Sequence, residues 1–296
     1  MPNTRLAAPL LAALLQLAGP CFSQTVPEPA AAPTVPVADA RGDTEAPGIE
    51  ALGIVRAATA RIGGDDWSRI RSFESVASAR SALGDARIEY RFVAPDARTL
   101  VQTMPGGRGV IEMGVVDGKA WMGEPGNARA IDPKIAQEMA GGGDLQTLVH
   151  SIEARFESFT AKGRAVVGGR DAWRIEMTPR ASALAGMPAS TWTLWIDAMN
   201  STILGLDIPA PTQDAAAGAP TPGAQTIRFS DWRPVELPKD AKPGRLLCFG
   251  KAEIESDGMK VVLEFERVAV DTLEAGSIAP PASVAPAKPS MHPGGS

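Results

Sequence analysis

Side chains able to do chemistry are scarce in this chain. Its 296 residues hold two histidines, His150 and His292, and two cysteines, Cys21 and Cys248. A Ser-His-Asp triad, a Cys-His dyad or a zinc site needs such groups converging at set spacing, and His150 has no second His or Cys at ligand spacing. His150 therefore reads as a packing or capping residue, and neither a metal nor a cofactor is expected. The segment Pro105-Gly106-Gly107-Arg108-Gly109 has the glycines of a phosphate loop. No Gly-Lys-Ser/Thr follows it, and the next element reads as a strand rather than the helix whose N-terminus would hold a phosphate. It is expected to be a hairpin loop. Glu253, Glu255 and Asp257 alternate onto one strand face and could offer oxygens to calcium. Lys251 shares that face and EF-hand spacing is missing, so a solvated outer face is the expectation. With 34 Asp and Glu, some carboxylate pair is always available for glycoside chemistry, but none is singled out. The chain is not expected to be an enzyme.

The bulk composition agrees with that reading. Hydrophobic residues make up 44% and charged residues 21%, enough apolar surface for a packed core. A net charge of −5 argues against a nucleic-acid groove, which needs concentrated Lys and Arg.

Residues 1–23 have the layout of a secretory signal peptide: a positive start at Arg5, the apolar run LAAPLLAALLQL, and the exit Gly19-Pro20-Cys21-Phe22-Ser23. The run is short for a membrane span, so no transmembrane segment is expected in the mature chain. Pro20 stands where a lipid-anchoring signal needs a small residue, which favours a periplasmic or secreted protein over a lipid-anchored one. Loss of Cys21 on cleavage would leave Cys248 without an internal disulfide partner, and it reads as a small buried hydrophobe. Residues 24–47 form a Pro/Ala-rich linker, and the Pro-rich tail 274–296 reads as disordered. A third Pro/Ala/Gly stretch at 209–223 reads as an excursion between strands. The folded domain is expected over 48–273.

That domain opens on a helical period, Ile49, Leu52, Val55, Ala58 and Ile62, ended by Gly63-Gly64. The period then changes to two. Ile88, Tyr90 and Phe92 share one face of a strand whose other face is charged. Similar runs follow at 99–104, 110–116, 160–167, 173–177, 191–196, 202–208, 226–232, 246–255 and 260–270. Short turns such as Asp117-Gly118, Gly168-Gly169 and Asp257-Gly258 suit tight hairpins, and the implied topology is an antiparallel meander. One mid-chain helical region interrupts it: IDPKIAQEMA, then DLQTLVHSIEAR, with Gly141, Gly142 and Gly143 as a joint between them. The fold class is α+β, a strongly curved antiparallel sheet forming an incomplete barrel, with helices covering its concave apolar face.

Large polarizable side chains gather along these strands, Tyr90, Phe92, Met104, Met113, Trp121, Met122, Trp173, Met177, Trp192 and Trp195, and Met is common at 10 residues. Such side chains fill irregular cavities and adapt to varied apolar partners. On periodicity alone they read as an ordinary core.

The order of several short motifs resembles the bacterial outer-membrane lipoprotein-sorting family, which comprises periplasmic lipoprotein carriers and lipoprotein receptors. They are Gly63-Gly64-Asp65-Asp66-Trp67 with Ile70-Arg71-Ser72-Phe73, then Val93-Ala94-Pro95-Asp96-Ala97-Arg98 and Val116-Asp117-Gly118-Lys119-Ala120-Trp121-Met122. Val167-Gly168-Gly169-Arg170-Asp171-Ala172-Trp173, Leu194-Trp195-Ile196-Asp197 and Phe229-Ser230-Asp231-Trp232-Arg233 complete the string. The resemblance covers about residues 48–272. It implies a half-barrel whose apolar face, lidded by helices, holds acyl chains or another hydrophobic ligand. It also turns the apolar set from core toward cavity lining, with candidates Ile88, Tyr90, Phe92, Met104, Ile111, Met113, Trp121, Trp173, Ile175, Met177, Trp192, Leu194 and Ile196. Gly141, Gly142 and Gly143 become the hinge of the lid. The expected partner is a lipid or an acylated lipoprotein, bound without catalysis in the cell envelope, with transport of lipoproteins to the outer membrane as the process. The alternative is an envelope sensor or scaffold module of the same fold that binds a protein partner.

Overall fold

A computed structural model describes residues 50–95, 97–107, 109–132, 145–180, 190–210, 223–238, 246–281 and 284. The period-two runs fold as one antiparallel sheet. Its strands are β1 (Ser72–Ser81), β2 (Gly84–Val93), β3 (Ala97–Thr103), β4 (Val110–Val116), β5 (Lys119–Glu124), β6 (Asn127–Ile131), β7 (Phe156–Val167), β8 (Arg170–Pro179), β9 (Trp192–Asp197), β10 (Ile203–Ile208), β11 (Gln225–Pro234), β12 (Leu247–Ser256) and β13 (Met259–Val270). The thirteen strands lie in the order β6-β5-β4-β3-β2-β1-β13-β12-β11-β10-β9-β8-β7. Two meandering wings are thus joined where β1 pairs with β13, and the sheet is left open with β6 and β7 as its edges. Asp-Gly turns drive the hairpins: Asp117 and Gly118 have φ of 49° and 70°, and Asp257 and Gly258 have 50° and 75°. Left-handed backbone at both central residues gives the turn whose twist matches paired strands.

β1, β5 and β6 do not stand out as alternating runs in the sequence. β1 is Ser/Ala-rich and buried on both faces along most of its length, because it sits at the seam between the wings. Small side chains there let neighbouring layers approach.

Among the described residues, helical cover is smaller than the sequence suggests. The opening helix is α1 (Ala51–Arg61), followed by the single turn α2 (Asp65–Ser68). The expected segment DLQTLVHSIEAR forms two short pieces, α3 (Leu145–His150) and α4 (Ile152–Arg155). Residues 133–140 of the segment IDPKIAQEMA and the glycine joint lie outside the described residues, while Ile131 closes β6. The expectation of helices covering the apolar face is corrected to a minor cover, the dominant element being the open curved sheet. α1 and α4 are clamped together by Arg56 donating to Glu153 at 3.1 Å and Thr59 Oγ1 donating to the same carboxylate at 3.0 Å. Val55 and Ala58 of α1 are fully buried against the sheet. No helix among the described residues is long and apolar enough to cross a membrane.

The face under these helices, here the inner face, carries the main core. The outer face is laced with ion pairs. Arg228 meets Asp207 at 2.6 Å while Trp195 Nε1 donates to the other oxygen of the same carboxylate at 2.6 Å. Glu253 lies between Lys251 at 2.6 Å and Lys260 at 2.7 Å, which holds its carboxyl down at about 2 through hydrogen bonds first to Lys251 and then to Lys260. The strand carrying Glu253 and Glu255 is therefore a charge-matched face, since Lys260 also reaches Glu255 at 3.5 Å.

A second, smaller cluster forms on the outer face of the first wing. Val93, Trp121 and Ala128 pack there with Ile278, which is 6% exposed, and with half-buried Leu273 and Val284. The chain beyond β13 thus contributes to packing past the residue where a disordered tail was expected to begin.

Candidate ligand-binding face

Strand alternation sorts the candidate residues. In the first wing, β2 directs Ile88, Tyr90 and Phe92 inward, and β4 adds Ile111 and Met113 across β3. Ile88, Tyr90 and Met113 are buried in the main cluster, with Phe92 and Ile111 half-buried against it. In the second wing the register places Trp173 opposite Ile196, Ile175 opposite Leu194, and Met177 opposite Trp192. Five of these are fully buried and Trp173 is half-buried. Cross-strand pairs of this kind are the unit by which a sheet builds an apolar face.

Two candidates fall elsewhere. Trp121 is opposite Gly114 and points outward, into the second cluster, with its indole N–H donating to Glu112 at 3.3 Å. A Cβ on Gly114 would overlap the Trp121 ring, so the glycine is what makes room for it. The inward residue of that pair of neighbours is Met122, opposite Met113. Met104 lies past the end of β3, in the turn where its N–H donates to the Gly109 carbonyl at 2.7 Å, and it is outside the main cluster. Both residues are corrected from cavity lining. Trp195 also faces outward, one strand position out of phase with Leu194 and Ile196. Gly141, Gly142 and Gly143 lie outside the described residues.

The half-buried members show where the inner apolar surface reaches solvent. The Arg98 guanidinium lies 5.2 Å from the centre of the Phe92 ring, and that of Arg164 lies 4.1 Å from Trp173. Both aromatics therefore carry a cation over an otherwise apolar surface.

Two features were not read from the sequence. Ring stacking places His150 3.8 Å from Trp67, with an angle of 9° between the planes, and its Nε2 stands 3.8 Å from the Cys248 sulfur. Burial pushes the imidazole pKa down to about 3, opposed only in part by a backbone hydrogen bond at Leu247. The residue is a packed neutral imidazole, as expected, but its contact with Cys248 joins α3 to β12 across 98 positions of sequence. The second feature is a set of buried polar side chains, Gln102 and Gln225 on the inner face of the sheet and Gln146 on α3, each with an amide oxygen lacking a partner. Gln102 follows Leu100 by two in a strand, so its inward phase was readable.

The second wing also has a cleft of about 540 Å³ bounded by Arg170, Leu204, Arg228, Trp232 and Glu253. Its arginines are matched by Asp197 at 3.5 Å and Asp207 at 2.6 Å. It presents no unmatched arginine to an anion.

An open antiparallel sheet with an apolar inner face, covered in part by short helices, defines the fold as a half-barrel. Three solved structures are similar to this chain in fold. A LolA superfamily protein from Nitrosomonas europaea is 11% identical, with 79% of this chain and 99% of that chain covered and a TM-score of 0.47. A putative outer membrane lipoprotein-sorting protein domain from Vibrio parahaemolyticus is 13% identical, covering 76% and 94%, with a TM-score of 0.45. A DUF1329 family protein from Desulfovibrio piger is also 13% identical, covering 76% and 95%, with a TM-score of 0.45. No family model matches the sequence, and no curated protein matches it.

Proposed function

We propose that this chain is an exported, non-catalytic protein of the bacterial envelope that binds lipid or lipoprotein acyl chains against the inner face of its half-barrel, in the manner of lipoprotein sorting. The supporting observation is the inner face itself. It is apolar across both wings, the helices over it among the described residues are short, and Phe92, Ile111, Met122 and Trp173 stand half-buried where a chain could lie against them. The motif order over residues 48–272 supports the same reading, as does the signal-peptide layout of residues 1–23 for export to the periplasm.

The energetics suit capture and release. Each acyl methylene removed from water contributes about 0.8 kcal/mol, so roughly ten of them supply about 8 kcal/mol before ordering costs. That gain sets about micromolar as the tightest affinity ten methylenes could give before those costs, weak enough for a competing acceptor to take the ligand. Native mass spectrometry of the chain purified from envelope extract, followed by organic extraction of any adduct, tests the proposal. A reproducible lipid or acylated-peptide adduct supports it. A clean apo mass with no uptake of added lipid refutes it and leaves the protein-binding module as the reading.

A further inference from the structure

An edge strand has a neighbour on one side alone and is the part of a sheet most open to local unfolding. β6, which pairs with β5, is the edge of the first wing. Of its five residues Ala128 alone is buried, while inward Arg129, opposite Met122, is exposed. Apart from Ile131, half-buried against Val115 and Ala120, the strand is therefore packed through its outer side. That side belongs to the second cluster, where Ala128 and Trp121 lie under Ile278, Leu273 and Val284. The covering segment follows β13 and is tied to β1 at its root. Asp271 accepts from the Arg71 and Ser72 N–H groups at 2.6 and 3.0 Å, and the Leu273 N–H donates to Ser72 Oγ at 3.0 Å. Next, the Ser277 N–H donates to the Glu274 carbonyl at 3.1 Å, closing a turn with Gly276 at a φ of 80°, the left-handed backbone that such a turn requires at its third position. The turn delivers Ile278 onto Val93, Trp121 and Ala128, which belong to β2, β5 and β6. The segment thus runs from the seam of the two wings to the edge of the first, hydrogen-bonded at its root and apolar in its grip beyond.

Resting on the lipid reading above, we propose that residues 273–281 and 284 are a strap that pins the β5–β6 edge, and that its release opens the first wing there to an entering acyl chain. β5 carries the coupling between the two faces. Its Trp121 lies outward under the strap, and the next residue, Met122, faces inward opposite Met113 and packs half-buried on the inner face. An edge hairpin that loses its outer packing takes Met122 with it and uncovers the inner face beside β4. The strap is suited to release, because its grip is one buried side chain, Ile278, and two half-buried ones, while the root on Ser72 stays fixed. Opening at this edge leaves the fully buried apolar pairs of β8 and β9 in the second wing undisturbed.

The test combines amide hydrogen exchange with the uptake rate of cis-parinaric acid, a fluorescent fatty acid, in the whole chain and in its I278A and I278D variants. Loss of the buried isoleucine is expected to lower the protection of the β5 and β6 amides about tenfold while those of β8–β12 keep theirs. The association rate of the fatty acid should rise by about the same factor, because entry scales with the fraction of time the edge is open. I278A, the milder change, should show the same pattern at reduced size, which guards against misfolding of I278D. Unchanged protection of β5 and β6, or an equal loss in both wings, overturns the strap. Lost protection with an unchanged association rate overturns its role in entry. No uptake by the unaltered chain overturns the lipid reading itself, and the exchange data then decide separately whether the strap holds the edge.

Discussion

His150 makes the stability of this protein fall on mild acidification. An imidazole with its pKa lowered to about 3 in the folded chain and near 6.5 in the unfolded chain takes up its proton on unfolding. The unfolded state therefore binds more protons between about pH 7 and pH 3, and folding stability drops as pH falls through 6.5. Between pH 7 and pH 5 the folded imidazole stays neutral while the unfolded one becomes almost fully charged, which removes about 2 kcal/mol. The remaining histidine is His292, in the Pro-rich tail, and Glu253, held near 2, changes the balance only below about 4.5. Urea unfolding followed by tryptophan emission at pH 7, 6 and 5 measures the loss. The H150F variant keeps a ring against Trp67 and removes the proton acceptor, so its stability should be nearly flat over the same range. A flat profile in the unaltered protein, or an equal slope in H150F, would refute the placement of this imidazole in a sealed contact between α3 and β12.

Other perturbations address different parts of the structure. G114A drives a methyl group into the Trp121 ring and should cost about 1–3 kcal/mol in chemical denaturation, whereas G118A, in an exposed turn, should be felt mainly through backbone strain. Ending the chain at Leu273 removes Ile278 from the outer cluster, with an expected loss of about 2 kcal/mol and a red shift in the emission of Trp121. Below pH 4.5 the Lys251–Glu253–Lys260 group should lose stability as pH falls toward 2, and E253Q should remove that part of the acid limb. W173D and F92D, at half-buried inner positions, should abolish lipid uptake while near-native circular dichroism is kept; unchanged uptake by folded variants would count against the inner face as the binding surface.

The hairpin order was legible because most strands keep one face wet and one dry. β2 shows it most plainly: Ile88, Tyr90 and Phe92 alternate with charges, and the turn types at Asp117-Gly118 and Asp257-Gly258 fix where the chain reverses. β1 hid for the opposite reason. At the seam of two wings both of its faces are covered, so Ser and Ala replace any alternation. β5 failed differently, since Trp121 and Met122 are adjacent, both large and both apolar, and composition alone cannot say which one faces in. What decides it is the partner strand: Gly114 leaves a hollow that only the outward-facing indole fills.

The same logic explains why the apolar candidates were easier to find than the polar ones. Counting large apolar side chains locates a core, and the structure gathers eleven of the thirteen candidates on or against one cluster. It cannot separate a surface that packs on itself from one that receives a ligand, because both want Trp, Ile and Met. A glutamine in phase with those residues is different, since an ordinary core has no use for an amide whose oxygen finds no donor. Leu100 and Gln102 share a phase on β3, as Gln225 does with Ile227 and Phe229 on β11. Q102M and Q225M, which keep the length of the side chain and remove the amide, should therefore each raise stability in urea unfolding; a loss of stability in either variant would show that its amide is hydrogen-bonded in the folded chain.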